Sequence, residues 1–363
     1  MRPQAENQKK GTVIVTGSSG FIGAQVVRRL AHHFRIIGFD RPGAPHPPPE
    51  ADCVDVDLSD ETSVQAAFKE VRQKYGEHLS SVIHLAAYYD FSGEPSDKYE
   101  KITIHGTENV LRALKDFKVD QFLFSSTMLV HAPTEPGKKI REDSPINPKW
   151  DYPKSKAETE KRIRAMHGDI PIVLLRIAGV YEETGHSIPL ANQIQRIYER
   201  WLTSHLYPGD VSRGQSFLHI EDLVDAIELA VQKKSELPRE TVLLLGEETT
   251  LSYDELQRTL GRLIHDETWE TRQIPKVVAK TGAWIQDNLP FGEEPFIKPF
   301  MVDLADDHYE LDIGQARKLL GWHPKHSVAV ALPKMVAALK ADPQGWYEAN
   351  GLKSSRNMEA ATV

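Results

Sequence analysis

Tyr152 and Lys156 stand four residues apart in Tyr152-Pro153-Lys154-Ser155-Lys156, a spacing that places both side chains on one helix face. A cationic lysine beside a phenol lowers the phenol's pKa, giving a group able to exchange a proton near neutral pH. Upstream, Phe124-Ser125-Ser126-Thr127 supplies a hydroxyl that could hold a substrate oxygen. Ahead of these, Thr16 to Gly23 reads TGSSGFIG, with Gly17, Gly20 and Gly23 spaced so that a chain leaves a strand, turns tightly and enters a helix. Such a turn suits a dinucleotide pyrophosphate: the glycines permit the turn, let backbone approach the phosphates and allow close helix packing, and the helix N-terminus offers unpaired N–H groups. The glycine spacing by itself fits an empty structural turn as well. Asp40 ends Gly38-Phe39-Asp40, where a carboxylate accepts from ribose hydroxyls and repels a 2'-phosphate, favouring NAD. Arg41 could accommodate that phosphate, which keeps NADP open, and a strand-end turn residue is the alternative reading of Asp40.

Positioning these groups requires alternating elements. Short β-rich runs at Thr12 to Val15, Arg35 to Phe39, Ser81 to Leu85, Phe122 to Ser125 and Val173 to Ile177 alternate with helical patterns at Phe21 to His32, Glu61 to Tyr75, Tyr99 to Phe117 and Tyr152 to Met166. The pattern predicts a doubly wound α/β fold with a parallel sheet. Arg41 to Glu50, with five prolines and a glycine, reads as an irregular loop at the sheet edge. Past Gly179 the rhythm loosens into helical stretches near Ile188 to Arg200, Glu221 to Lys233, Ser252 to Ile264 and Val328 to Leu339, with a β-like run at Thr241 to Leu245. The expected division is a flexible tail over 1–10, a nucleotide-binding domain over 11–178 with returns near 217–245, a substrate lobe mainly over 179–345 and a C-terminal tail over 346–363.

With 363 residues and a net charge of -8 without blocks of like charge, the chain gives no electrostatic reason to bind nucleic acid or an anionic membrane. Its partner is expected to be a small molecule. The single cysteine, Cys53, excludes intramolecular disulfides and cysteine-rich metal sites and suits the cytoplasm. No apolar run is long enough to span a bilayer.

The ordered set resembles the extended short-chain dehydrogenase/reductase superfamily, in its NAD-dependent epimerase/dehydratase group. It comprises TGSSGFIG, Asp40, Asp57-Leu58, His84-Leu85-Ala86-Ala87, Gly106-Thr107, Phe124 to Thr127, Tyr152 to Lys156, Leu175 to Tyr181, Phe217 to Asp222 and Leu320 to Pro324, and covers about residues 11 to 340. The resemblance implies a Rossmann-type sheet with a smaller C-terminal α/β substrate-binding lobe. By resemblance, Phe21 and Ile22 present N–H groups to the pyrophosphate, Asp57 and Leu58 bracket the adenine, and Leu85, Ala86 and Ala87 line the path to the nicotinamide. Lys156 would bond the nicotinamide ribose and keep Tyr152 acidic. Tyr152 would exchange the proton of a substrate hydroxyl or carbonyl during hydride transfer, with Thr127 orienting that oxygen. The resemblance also suggests a homodimer through the helices of Tyr99 to Phe117 and Tyr152 to Met166.

Departures from the family pattern select among its reactions. Met128-Leu129 follows Thr127 where dehydratases of the group carry an Asp-Glu pair, which disfavours sugar dehydration. Gln215 stands where nucleotide-sugar epimerases often place a diphosphate-gripping arginine; Arg213 could substitute through a different loop path. His131 replaces a common tyrosine and Thr103 a common asparagine. Tyr88-Tyr89-Asp90-Phe91 follows the cofactor strand and either faces an apolar or ring-containing ligand or simply packs. Val277 to Ile285 is helical and apolar on more than one side, with burial expected ahead of a pocket cover or a membrane contact. His84 and His219 read as structural, without metal-ligand spacing. The expectation is an NAD-dependent alcohol/carbonyl oxidoreductase; the alternatives are an epimerase holding NAD tightly and a non-catalytic dinucleotide-binding scaffold or redox sensor.

Overall fold

The computed structural model describes residues 11–90, 94–287 and 299–353. The tail assigned to 1–10, Phe91, most of the C-terminal tail and the side chains of Trp284 and Ile285 lie outside the described residues. Seven strands, β1 (Thr12–Thr16), β2 (Arg35–Asp40), β3 (Asp52–Asp55), β4 (Ser81–His84), β5 (Phe122–Thr127), β6 (Ile172–Ile177) and β7 (Glu240–Leu245), form one sheet. Its order is β7-β6-β5-β4-β1-β2-β3 and every pairing is parallel. All residues of β1, β5 and β6 are buried. They read as nearly continuous apolar runs because helices cover both faces.

The first helices of the chain are α1 (Phe21–Leu30), α2 (Glu61–Tyr75), α3 (Gly106–Ala113), α4 (Asp151–Met166), α5 (Ile188–Tyr198), α6 (Ile220–Gln232) and α7 (Tyr253–His265), of which α1 to α4 and α6 cover the sheet. Val26, Val27 and Leu30 of α1 pack with Leu223 and Ile227 of α6 on one face; Val64, Phe68, Val110 and Ile163 of α2 to α4 cover the other. A third core gathers Leu190, Ile194, Leu256 and Trp269 with Leu332 and Trp346. Of the later helices among the described residues, α8 (Lys276–Asp287), α9 (Pro299–Asp303), α10 (Gly314–Leu320), α11 (Val328–Ala341) and α12 (Pro343–Ala349), the last two belong to this core, whereas α10 packs with α6 in the first.

Two local expectations are corrected. The single helix over Tyr99 to Phe117 is a π-helical turn at Tyr99–His105, then α3, then a 3-10 turn at Leu114–Asp116. Gly106 sets the join, lying so close to Leu58 that a Cβ there would come within 3.1 Å of Leu58 Cβ. The tail does not begin at residue 346: Pro343–Ala349 is helical, capped by Asp342, with Trp346 and Tyr347 buried in the third core. Strand β3 carries no apolar run because it pairs with β2 alone, and its Asp52 and Asp55 charge an exposed sheet edge.

Candidate active site

The strand order turns around at β1, with β2 on one side and β4 on the other, so a crevice opens beyond the carboxyl ends of β1 and β4. Gly17 makes the turn with φ +70°, its N–H donating to the Phe39 carbonyl at 2.8 Å. On Gly23 a Cβ would stand 2.0 Å from the Gly17 carbonyl oxygen, so only glycine lets α1 sit this close to the turn. Gly20 caps α1 without a side-chain bond, leaving the first-turn N–H groups, those of Phe21 and Ile22 among them, without a side-chain acceptor. The Ser18 and Ser19 hydroxyls are buried in the same turn without a hydrogen-bond partner.

Asp40 fastens this turn to β2, accepting from the N–H groups of Ser19 at 2.8 Å and Arg41 at 2.9 Å. The Arg41 residue is exposed. Asp57 accepts from the Ser59 N–H at 2.9 Å, and the Leu58 carbonyl accepts from Asn109 at 2.9 Å. Leu85 and Ala86 donate to the carbonyl and hydroxyl of Thr16 at 3.3 and 3.2 Å, bringing Leu85 to Ala87 over the glycine turn. An uncapped helix start, two orphaned hydroxyls, a glycine cradle and a carboxylate at the end of β2 together fit a dinucleotide.

Thr127 ends β5 and Tyr152 lies in the first turn of α4, with the threonine side chain near enough to the phenol to influence its proton. Lys156, one turn further on, is buried; its Nζ donates to the Ser125 carbonyl at 2.6 Å and lies 5.9 Å from the Tyr152 ring centroid. The three catalytic candidates therefore meet at one strand end. Their electrostatics differ from the expectation. Burial pushes the Tyr152 phenol above its ordinary value, and the Thr127 side chain only partly offsets this; the same burial pushes Lys156 down to about 7. The lysine, turned toward the Ser125 carbonyl, is not among the groups that lower the phenol here.

Glu160 follows one turn after Lys156 and was not anticipated. It bonds buried Arg176 at two points, 3.1 and 2.8 Å, and accepts from Ser126 at 2.5 Å, tying α4 to β5 and β6. Its signal is the continuation of the four-residue spacing, Tyr152, Lys156, Glu160. His131 belongs to the same network, with its ring nitrogens 3.0 Å from Arg176 and 3.1 Å from the Ser144 carbonyl, so it is a packing partner. Thr103 accepts from the Tyr88 N–H at 3.0 Å and thereby holds the loop after β4. His84, pushed down to about 3 by burial and by the Lys156 charge, bridges Thr16 and Thr107 at 2.7 and 2.9 Å.

Of the aromatic loop, Tyr89 stands edge-on to Tyr152 at 4.9 Å, whereas Tyr88 packs against Tyr99 at 4.8 Å. Neither lines the cavity of the second lobe that begins at Leu129 and Trp150. Arg213 does line it, but its guanidinium is committed to Glu135 at 2.6 Å and to the Thr134 carbonyl at 3.2 Å. The burial expected for Val277 to Ile285 fails at its start: Val277 and Val278 are 76% and 58% exposed because Lys276 and Lys280 pin that end of α8 to Asp306 and Asp303. Among the described residues His219, Glu221 and His326 bring ligand atoms within 4.8 Å of one another, a proximity the sequence spacing did not disclose. The two imidazoles are stacked at 4.0 Å with 22° between planes, so their in-plane lone pairs run side by side rather than converge on one ion. His219 instead accepts from the Glu221 N–H and bonds Glu183 at 3.0 Å, capping α6.

Fold and site together define a dinucleotide-dependent oxidoreductase of the doubly wound α/β class. The sequence model of the NAD dependent epimerase/dehydratase family matches residues 13–246, and the chain belongs to that family, with NAD as its cofactor. It is 25% identical to a UDP-glucose 4-epimerase of Vibrio cholerae over 87% of this chain and 92% of that protein. It is 24% identical to the decarboxylating sterol-4-alpha-carboxylate 3-dehydrogenase of Saccharomyces cerevisiae over 91% of this chain and 98% of that protein. The fold matches the UDP-glucose 4-epimerase of Thermus thermophilus solved with NAD, with a TM-score of 0.68, 21% identity and coverage of 91% and 99%. Among the described residues no helix is long and apolar enough to cross a membrane.

Proposed function

We propose that this protein catalyses net hydride transfer between NAD and a substrate alcohol or carbonyl, with Tyr152 as general acid/base. The observation that carries the reading is the convergence of Thr127, at the carboxyl end of β5, with Tyr152 in the first turn of α4 and buried Lys156 one helical turn behind. Bound NAD supplies the hydride acceptor or donor. Gly17, Gly20, Phe21, Ile22 and Gly23 hold the pyrophosphate, and Asp40, with Arg41 beside it, meets the ribose and selects against a 2'-phosphate. Asp57 and Leu58 border the adenine and Leu85 to Ala87 the nicotinamide side. Thr127 orients the reacting oxygen, Tyr152 takes its proton on oxidation or gives one on reduction, and Lys156 supports the nicotinamide ribose. Elimination has no acid pair to drive it, because buried Met128 and cavity-lining Leu129 follow Thr127.

A homodimer through the π-helical turn, α3 and α4, in the cytoplasm, completes the proposal; purely monomeric sedimentation would remove the dimer. The functional test is to denature fresh protein, quantify released NAD, and assay stereochemical inversion without added cofactor. Reversible NAD binding with net NADH formation is expected. Stoichiometric retained NAD with inversion would instead identify the epimerase reaction.

A further inference from the structure

Beyond Leu129 and Trp150 lies a cavity of about 280 Å³ in the second lobe. It adjoins the proposed catalytic pair: the Leu129 N–H donates to the Thr127 hydroxyl at 3.3 Å, and the Trp150 ring lies 5.5 Å from the Tyr152 ring. Its walls are mostly hydrocarbon and aromatic, with Leu190 from α5, Tyr207, Phe217 and, across from Trp150 at 5.8 Å, Phe300 of α9.

The cations that border it are spoken for. Lys149 donates to Asp307 at 2.9 Å, and Asp307 is itself only 8% exposed. Arg213 is held by Glu135 at 2.6 Å, with Asp210 at 3.6 Å from its Nε. Arg196 donates to the Thr203 carbonyl. Gln215, uncharged, occupies the position read above as the diphosphate clamp. A nucleoside diphosphate would have to compete with Glu135 and Asp210 for Arg213, and taking Lys149 would leave the buried Asp307 carboxylate unpaired beside its own negative charge, which is costly. An apolar ligand disturbs none of them and gains from every surface it removes from water.

We infer that the substrate is an uncharged, predominantly apolar secondary alcohol or its ketone, ring-bearing and without phosphate, whose reacting end meets Tyr152 while its body fills this cavity. This inference rests on the hydride-transfer reading for the reacting end, whereas the apolar fit concerns binding alone. The test therefore measures affinity as well as turnover. Cyclohexanol, menthol and androsterone, a series of increasing apolar area, and UDP-glucose are titrated into NAD-loaded wild-type protein by calorimetry. The same titrations are made on Phe300→Ala and on Leu206→Asp, an exposed position at the cavity rim, with NAD affinity measured for each variant.

Affinity is expected to rise along the alcohol series, with the best member binding at least about tenfold tighter than UDP-glucose. Phe300→Ala should weaken it at least about fivefold with NAD affinity unchanged. UDP-glucose binding tighter than all three alcohols, or alcohol binding indifferent to both substitutions, would overturn the inference. Turnover of UDP-glucose that depends on Tyr152 would overturn it and leave the hydride-transfer reading standing. Tight alcohol binding without any NADH formation would do the reverse.

Discussion

Replacing Glu160 tests whether the buried ion pair behind the active site holds α4 in place. Glu160 and Arg176 are each only 3% exposed, and the guanidinium also donates to the Glu142 carbonyl at 2.9 Å. Glu160→Ala leaves that cation buried and unpaired, which costs about 3–5 kcal/mol. With an unfolding entropy of about 2.1 cal/mol/K per residue, the full chain of 363 residues has about 0.8 kcal/mol/K, so Tm should fall by about 4–6 °C. Burial pushes the Glu160 carboxyl up, but Arg176 and Ser126 pull it below its ordinary value. The pair's contribution is therefore present above the unfolded carboxyl pKa and lost as pH falls through the lower folded one. Urea and thermal unfolding of Glu160→Ala, Glu160→Leu, Arg176→Met and the double variant Glu160→Leu/Arg176→Met measure the coupling. The double variant should be more stable than Glu160→Ala, because it removes both charges. A loss below about 1 kcal/mol for Glu160→Ala, or a double variant losing the sum of the singles, would refute this reasoning.

Two further outcomes follow from the same geometry. Lys156, pushed down to about 7 by burial, binds fewer protons folded than unfolded between that value and its ordinary 10.5, so apoprotein stability should rise with pH across this window. Lys156→Met should flatten the rise, and an unchanged slope in chemical denaturation would contradict the assignment. Asp40→Ser should shift the NADP to NAD affinity ratio at least about tenfold toward NADP, about 1.4 kcal/mol, measured by cofactor titration. Asp40→Asn, which keeps an acceptor for the N–H groups of Ser19 and Arg41, should separate that charge effect from turn stability; an unchanged ratio in both would remove Asp40 from cofactor selection.

What the chain discloses in one dimension depends on the kind of constraint. Strands β1, β5 and β6 are legible because burial on both faces favours the apolar stretches Val13 to Val15, Phe122 to Phe124 and Ile172 to Leu175, and the glycine turn is legible because a Cβ at Gly23 would meet backbone. The Tyr152–Lys156 spacing is local, and so it transfers directly to one face of α4. Their proton affinities are not local: burial by distant elements raises one and lowers the other, which no spacing reveals. The commitment of Arg213 to Glu135, 78 positions away in sequence, and the stacking of His219 on His326 arise only when the second lobe closes on the sheet. Edge strand β3 escapes because its charged residues serve the sheet boundary rather than a core.

The central claim, that Tyr152 moves the substrate proton during hydride transfer, is tested most directly by comparing wild-type protein with Tyr152→Phe. NADH formation would be followed with whichever of menthol, androsterone or UDP-glucose the wild type turns over fastest, alongside NAD affinity and Tm. Turnover should fall at least about 100-fold while the fold is retained and NAD still binds. Near-normal turnover in the folded variant, or no turnover by the wild type on any of the three with NAD bound, would contradict it, the latter moving the chain toward a cofactor-binding scaffold.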